Sequence, residues 1–216
     1  MMGPVKLTKL GHACVRVEKD GRAIVIDPGV YSPEPAALDG VVAVLASHEH
    51  TDHFDADRLR RAQADNPDLR IYSHPDTVAA YPDLRIEPVR QGDRFTVAGF
   101  DVRVHGDRHA LVHPDIPRGG NVGFLLDGEV FHPGDAWTVP DEPVPTLLTP
   151  CDGPWIRAAD MVDYLGAVKP ARAYSIHDAY ASDLGMEYIV AGYLEWAAER
   201  SGGDLRLFRT GDVVEL

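Results

Sequence analysis

The chain has 216 residues, 44% hydrophobic and 25% charged, a composition ordinary for a globular protein with one sizeable core. Its formal net charge of −13, with dispersed arginines, argues against a long nucleic acid as partner, because phosphate binding needs clustered Lys and Arg. No run approaches the roughly 18 apolar residues of a membrane span, and residues 1–10 lack the charged-then-apolar pattern of a signal peptide, so a cytoplasmic setting is expected.

In chain order, residues 5–10 and 14–18 read as strands separated by Gly11-His12. Cys14 sits in the second, alternating run and reads as a small core residue. Asp20-Gly21 signals a hairpin into a third strand at 23–26, which ends at Asp27-Pro28-Gly29 where proline stops the ladder. Residues 31–40, rich in proline and alanine, read as a loop. The apolar run Val41-Val42-Ala43-Val44-Leu45 reads as a buried strand.

That strand delivers the densest chemistry in the chain. His48-Glu49-His50-Thr51-Asp52-His53 holds three histidines and two acids in six positions. Neutral imidazole and carboxylate are ligands for zinc and similar divalent ions. A loop at the end of a buried strand is where a rigid sheet can hold such groups in place. His48 and His50 alternate and can point the same way from extended chain. Asp52 and His53 follow where the chain must turn.

His-x-His-x-Asp-His after a buried strand resembles the signature of the metallo-β-lactamase-fold superfamily of metal-dependent hydrolases. The resemblance implies a four-layer αββα sandwich, two mixed sheets with helices outside, and a dinuclear site at one edge. It also implies further ligands downstream. An aspartate in the place of Asp27 supports the metal loop by hydrogen bonds in that family, a role short of ligation. Gly11-His12-Ala13 is similar to a motif of the ascorbate-phosphate-lactonase-like branch, where His12 lines the site; a structural histidine is the other reading.

Beyond the motif, Asp55 N-caps a helix running to about 64 that Asn66-Pro67 stops. A short strand at 70–73 and a short helix at 75–80 follow, with His74-Pro75 read as a turn. Residues 94–98 and 101–104 form a hairpin around Gly99. The family places a histidine ligand shortly after such a strand, and His105 and His109 compete, with His113 a weaker third. His109, followed by alanine, fits the family pattern better; His105 then supports or lines the site, or is solvated.

Residues 111–120 form an irregular loop that faces substrate. Strands at 121–126 and 129–131 flank the hairpin signal Asp127-Gly128. The second runs into His132-Pro133-Gly134-Asp135, whose Gly-Asp pair resembles the family's bridging aspartate. A carboxylate has two oxygens to share between two cations. A strand at 144–148 leads to loop 149–155, which places Cys151, read as an inert thiol, and Trp155 near the site. A helix at 157–166 precedes a strand at 171–176 and His177-Asp178, which resembles the last metal motif. The helix at 184–200 should pack Ile189, Val190, Tyr193, Leu194 and Ala197 on the sheet. Strands at 205–208 and 213–216 close the chain.

No repeat or linker marks a boundary, and ligands spread from His48 to His177 argue for one domain over 1–216. The resemblance then assigns His48, His50 and His109 to one metal, Asp52, His53 and His177 to the other, and Asp135 to both. Two cations about 3.5–4 Å apart lower the pKa of a shared water toward about 7. Asp52 takes the proton and passes it to the leaving group. The expected enzyme is a hydrolase of a small-molecule lactone, ester or amide, with zinc the expected metal and Mn²⁺ or Fe²⁺ as alternatives. The alternatives in function are a phosphodiesterase of a small nucleotide or phospholipid head group, with Arg108, Arg118 and Arg157 as phosphate clamp, and an iron-dependent redox protein on the same scaffold. His50 stands where the family's oxygen reductases carry glutamate, which favours hydrolysis. Neither a nucleic acid nor a membrane is an expected partner, and the sequence leaves the oligomeric state open.

Overall fold

The structure, a computed structural model, describes residues 3–33 and 37–216. Part of the expected loop at 31–40, residues 34–36, lies outside the described residues.

Two seven-stranded mixed sheets face each other. The first takes β1 (Lys6–Gly11), β2 (Cys14–Lys19), β3 (Arg22–Ile26), β4 (Val41–Ala46), β5 (Arg70–Ser73) and β6 (Ile86–Pro88), and is completed by β14 (Val213–Glu215) beside β1. The second takes β7 (Arg94–Val97), β8 (Phe100–His105), β9 (Gly123–Leu126), β10 (Val130–His132), β11 (Thr146–Pro150), β12 (Arg172–Ile176) and β13 (Asp204–Arg206). In both, hairpins give an antiparallel half and crossovers a parallel half: β3 to β6 in one, β10 to β13 in the other.

Alternation along each strand builds the layers. Inward residues Leu7, Val15, Ile24, Ile26 and Leu45 interlock with Phe100, Val102, Phe124, Leu148 and Ile176 of the facing sheet. The outward residues of the first sheet, Val25, Val44 and Ile71, pack under Phe54 and under Leu59 of helix α1 (Ala56–Asp65). Those of the second, Leu125, Phe131 and Leu147, pack under Met161 and Leu165 of α3 (Ala158–Val168) and Leu194 of α5 (Ala191–Ser201). The central parallel strands are therefore buried on both faces, which is why β4 reads as a continuous apolar run. This is the αββα sandwich of the metallo-β-lactamase fold.

Both Asp-Gly pairs make the tight turns their spacing predicts, with positive φ at Asp20 (50°), Gly21 (73°), Asp127 (53°) and Gly128 (66°). Lys19 Nζ and Asp127 Oδ2, 2.5 Å apart and nearly buried, join the two turns across the sandwich. Asp55 N-caps α1 through Arg58 N–H, and His74 caps α2 (Pro75–Ala80) by accepting Asp76 N–H at Nδ1. No helix among the described residues is long and apolar enough to cross a membrane.

The C-terminal helix departs from the expected stripe. One helical turn, α4 (Asp183–Gly185), leads into a π-turn at Met186–Val190, where Ala191 N–H bonds Met186 O, and then into α5. Met186, Val190, Leu194 and Ala197 face the sheet, whereas Ile189 and Tyr193 are 57% and 39% exposed. The wider turn rotates their face outward, so a stripe drawn at 3.6 residues per turn misassigns both.

Candidate metal centre

The site is built where strands of both sheets end. After Ala46 the chain leaves β4 and turns, with His50 O accepting the N–H of His53 and of Phe54 at 2.9 and 2.8 Å. Asp27, at the end of the neighbouring strand β3 and fully buried, holds this turn. Its carboxylate accepts Ser47 N–H, Ser47 Oγ–H and His53 Nδ1–H, each at 2.7 Å. A Cβ on Gly29 would lie 1.9 Å from Asp52 O, and one on Gly134 would lie 2.5 Å from Ser47 Cβ, so glycine alone lets these loops meet the motif.

The other ligands arrive from the second sheet. Asn121, before β9, accepts Asp135 N–H at 2.9 Å and donates to Pro133 O at 2.9 Å, fixing the Gly-Asp loop. Ala110 N–H bonds Asp135 O at 2.7 Å, and His177 N–H bonds His12 O at 3.0 Å. His177, at the end of β12, adopts φ 61° to turn its ring inward.

Asp135 sits at the centre. Its Oδ2 lies 3.0 Å from His177 Nε2, 3.3 Å from His109 Nε2 and 3.9 Å from His48 Nε2, and its Oδ1 lies 3.1 Å from His53 Nε2. Two groups of donors result, each within 4.8 Å: His48, His50, His109 and Asp135, and His12, Asp52, His53 and His177. The seven residues expected as ligands all belong to one or other of these groups.

The proton inventory fits divalent cations. His53, His109 and His177 each have Nδ1 against an oxygen that can only accept: Asp27, Ala110 O and Asp152 O. His48 Nδ1 faces Ser47 Oγ, whose own proton goes to Asp27. In all four rings the proton is thereby assigned to Nδ1 and the Nε2 lone pair points inward. His48 Nε2 meets His50 Nδ1 at 3.0 Å, lone pair toward nitrogen. His53 Nε2, His177 Nε2 and Asp135 Oδ1 are buried without a hydrogen-bond partner. Lone pairs and carboxylate oxygens converging on each other at about 3 Å are a donor set that a metal ion satisfies.

Charge follows the same logic. Burial opposes ionisation of Asp135, but His53 and His177 outweigh it and hold the carboxyl well below its usual range. Burial, then His53, keeps His48 well below an ordinary imidazole, hence neutral. For His53 burial is outweighed by Asp135 and Asp27, which raise it well above, so in the metal-free protein a second proton at Nε2 faces Asp135, and a cation would displace it to reach that lone pair.

His12 is different. Its Nδ1 accepts Ala179 N–H at 3.1 Å, so the proton sits on Nε2 and is donated to Asp52 Oδ2 at 3.1 Å. It has no lone pair left for a cation and acts on Asp52 instead, its ring 4.0 Å from that of His177. Tyr180 OH gives Asp52 Oδ2 a second hydrogen bond at 3.1 Å. Burial resists the charge on Asp52, yet the His12 bond prevails and the carboxyl stays ionised. Trp155 stands edge-on to His109 and His177, centroids 5.8 and 5.9 Å away.

Four expected residues lie elsewhere. His105 Nε2 faces Glu142 Oε1 at 3.3 Å, in a separate group with Asp141, because β8 ends with this ring turned toward the 141–142 loop. Arg118 is drawn to His109 O at 2.7 Å, Arg157 to Asp160 at 2.6 Å and Arg108 to Asp107 at 3.2 Å. None of these arginines lines the cleft over the site. That cleft, about 380 Å³, is walled by His50, His109, Val112, Pro154, Trp155 and Tyr180. Both thiols are buried, and burial pushes Cys14 up to about 12 and Cys151 higher still.

Sequence reasoning missed Tyr180, Asn121 and Lys9. Lys9, fully buried in β1, reaches Asp178 at 2.8 Å and Phe208 O at 3.2 Å, next to His177. Its signal was a lysine at an inward position of an alternating strand.

Residues 6–177 match the family described as the beta-lactamase superfamily domain. Protein Rv0786c of Mycobacterium tuberculosis is 38% identical over 180 residues, covering 81% of this chain and 84% of that protein. A UPF0173 metal-dependent hydrolase of Flavobacterium johnsoniae is 26% identical over 98% of this chain and 100% of its own length. Among solved structures, Igni18, a metallo hydrolase of the archaeon Ignicoccus hospitalis, covers 99% of this chain and 98% of its own at a TM-score of 0.76 and 20% identity, a likeness of fold. With its donor set, layers and relatives in agreement, the chain belongs to the beta-lactamase superfamily, as a metal-dependent hydrolase of the metallo-β-lactamase fold.

Proposed function

We propose that this hydrolase uses two divalent cations, zinc the expected pair, to cleave a small-molecule lactone, ester or amide. His48, His50 and His109 would hold one ion, Asp52, His53 and His177 the other, and Asp135 both. Bound there, the ions supply Lewis acidity that makes water a nucleophile at neutral pH and polarises the scissile carbonyl. Mn²⁺ and Fe²⁺ suit the same nitrogen and oxygen donors.

The chain's own residues do the rest. Asp27 and the carbonyls of Ala110 and Asp152 keep the Nε2 lone pairs available. Asp52 lines the cleft as an ionised carboxylate and is the group positioned to move the proton. A proton accepted at its Oδ2 competes with the donors His12 and Tyr180, so onward transfer to the leaving group is favoured. Val112, Pro154 and Trp155 exclude water from one wall.

The observation carrying a neutral substrate over a phosphodiester is the absence of lysine and arginine among the described residues lining the cleft. A phosphate would meet the carboxylates of Asp52 and Asp135 with no clamp beyond the cations. The proposal includes a cytoplasmic setting and no nucleic-acid or membrane partner. Paired assays on a lactone and on bis-nitrophenyl phosphate, with Zn²⁺ or Mn²⁺ added, test it. Faster turnover of the diester would replace the substrate class, and one tightly bound iron in protein purified without added metal would replace the hydrolytic reading with a redox one.

A further inference from the structure

The cleft over the metal centre continues beyond Tyr180. That tyrosine also lines a second hollow of about 330 Å³, floored by Ile156, Met161, Ile189, Val190 and Tyr193. Ile189 and Tyr193 in turn line a third, about 380 Å³, with Tyr188 and Trp196. The π-turn at Met186–Val190 is what turns Ile189 and Tyr193 outward to pave this track. Tyr188 and Trp196 beside them are 73% and 46% exposed. A contiguous apolar face of this kind marks a binding surface, and π-turns recur at functional sites.

We infer that this trough, running from Tyr180 to Trp196, seats an uncharged alkyl or aryl arm of the substrate whose carbonyl lies at the metal centre. The inference rests on the proposed hydrolysis and names the substrate class within it. Three features select this occupant. The hollows share lining residues with one another and, through Tyr180, with the cleft, so one extended molecule reaches all of them. They are concave, as a narrow ligand needs. Among the described residues lining them, Asp152 is the one charged side chain, which leaves nothing to hold a phosphate or carboxylate tail and repels an anionic one.

The test is a chain-length series. Metal-loaded protein is assayed on p-nitrophenyl esters from acetate to decanoate, and 1-alkanols from butanol to decanol are titrated by calorimetry as non-reacting arms. A fully buried methylene is worth about fourfold in affinity, so a half-open trough should raise kcat/KM by about twofold per methylene in mid-series. Ile189→Asp and Tyr193→Asp should flatten that slope, and Ile189→Leu should preserve it. An unchanged slope in both aspartate variants, or no slope in the native protein, overturns the inference. If no ester is cleaved, the alkanols decide: affinity that climbs with length and is lost in Ile189→Asp upholds the trough while the hydrolytic proposal falls, and indifference to length overturns the trough. A native dimer that Ile189→Asp converts to monomer in sedimentation, with the slope unmoved, assigns the face to a second copy and also overturns it.

Discussion

Asp135 is the residue on which most of the site's charge converges, with His48, His53, His109 and His177 all directed at its two oxygens. Asp135→Ala should therefore lose one or both metal equivalents by elemental analysis and nearly all activity, while a retained full complement would remove it from the bridging role. His109→Ala should be severe and His105→Ala mild in the same assays, since His105 faces Glu142. Asp27→Asn tests the supporting shell. It weakens the acceptor of His53 Nδ1–H and Ser47 N–H, and metal affinity should fall about 10–100-fold. Tyr180→Phe removes one of two donors to Asp52, a hydrogen bond to a charged group worth about 1.5–3 kcal/mol, and should lower kcat about tenfold or more with metal content intact.

At the scale of elements, the fold was readable where periodicity is local. The alternation of β2, the continuous apolar run of β4 and the turn chemistry of Asp20-Gly21 and Asp127-Gly128 depend only on neighbours in sequence. The His48–His53 cluster was legible for the same reason: its ligands are adjacent in the chain. His109 was harder, because what separates it from His105 is which way a loop turns after β8. Asn121 and Tyr180 left no local signal, and Lys9 showed only as a lysine on the inward face of its strand, so what each of the three holds was not legible. Their partners lie 14, 128 and 169 residues away, and no local pattern encodes such pairs. The π-turn was invisible because a helical wheel presumes a constant period. Lys9 yields a prediction at this scale. Lys9→Met strands Asp178 and two backbone carbonyls in a largely buried setting, so unfolding by urea should show a loss of about 3 kcal/mol. A negligible loss would mean that the pair contributes no net stability.

For the molecule as a whole, the ligands are shared between sheets. His48, His50, Asp52 and His53 hang from the first; His109, Asp135 and His177 from the second. Metal binding to the folded form alone stabilises it by RT ln(1 + [M]/Kd), so a chelator should lower the melting temperature markedly. Acid should act on the stripped protein too. Burial keeps His12, His48, His50, His105 and His132 below their ordinary pKa, against His53 and His109 held above. The unfolded chain takes up protons first at the lowered groups, so their contribution is lost as pH falls through about 6.5, while the raised pair contributes in the opposite sense. Five outnumber two, and urea midpoints of metal-free protein should drop between pH 7 and 5. A flat or rising profile would show that the raised pair dominates.

The Lys19–Asp127 contact has a consequence of its own. Lys19 ends β2, whose start adjoins His12, and Asp127 follows β9, whose start adjoins Asn121. It fastens the sandwich at the end remote from the ligands, as a spine fastens a book. Stripped of its ions the molecule should gape at the ligand end first, and proteases should nick the covers there, around 106–120 and 149–156, before they reach the spine.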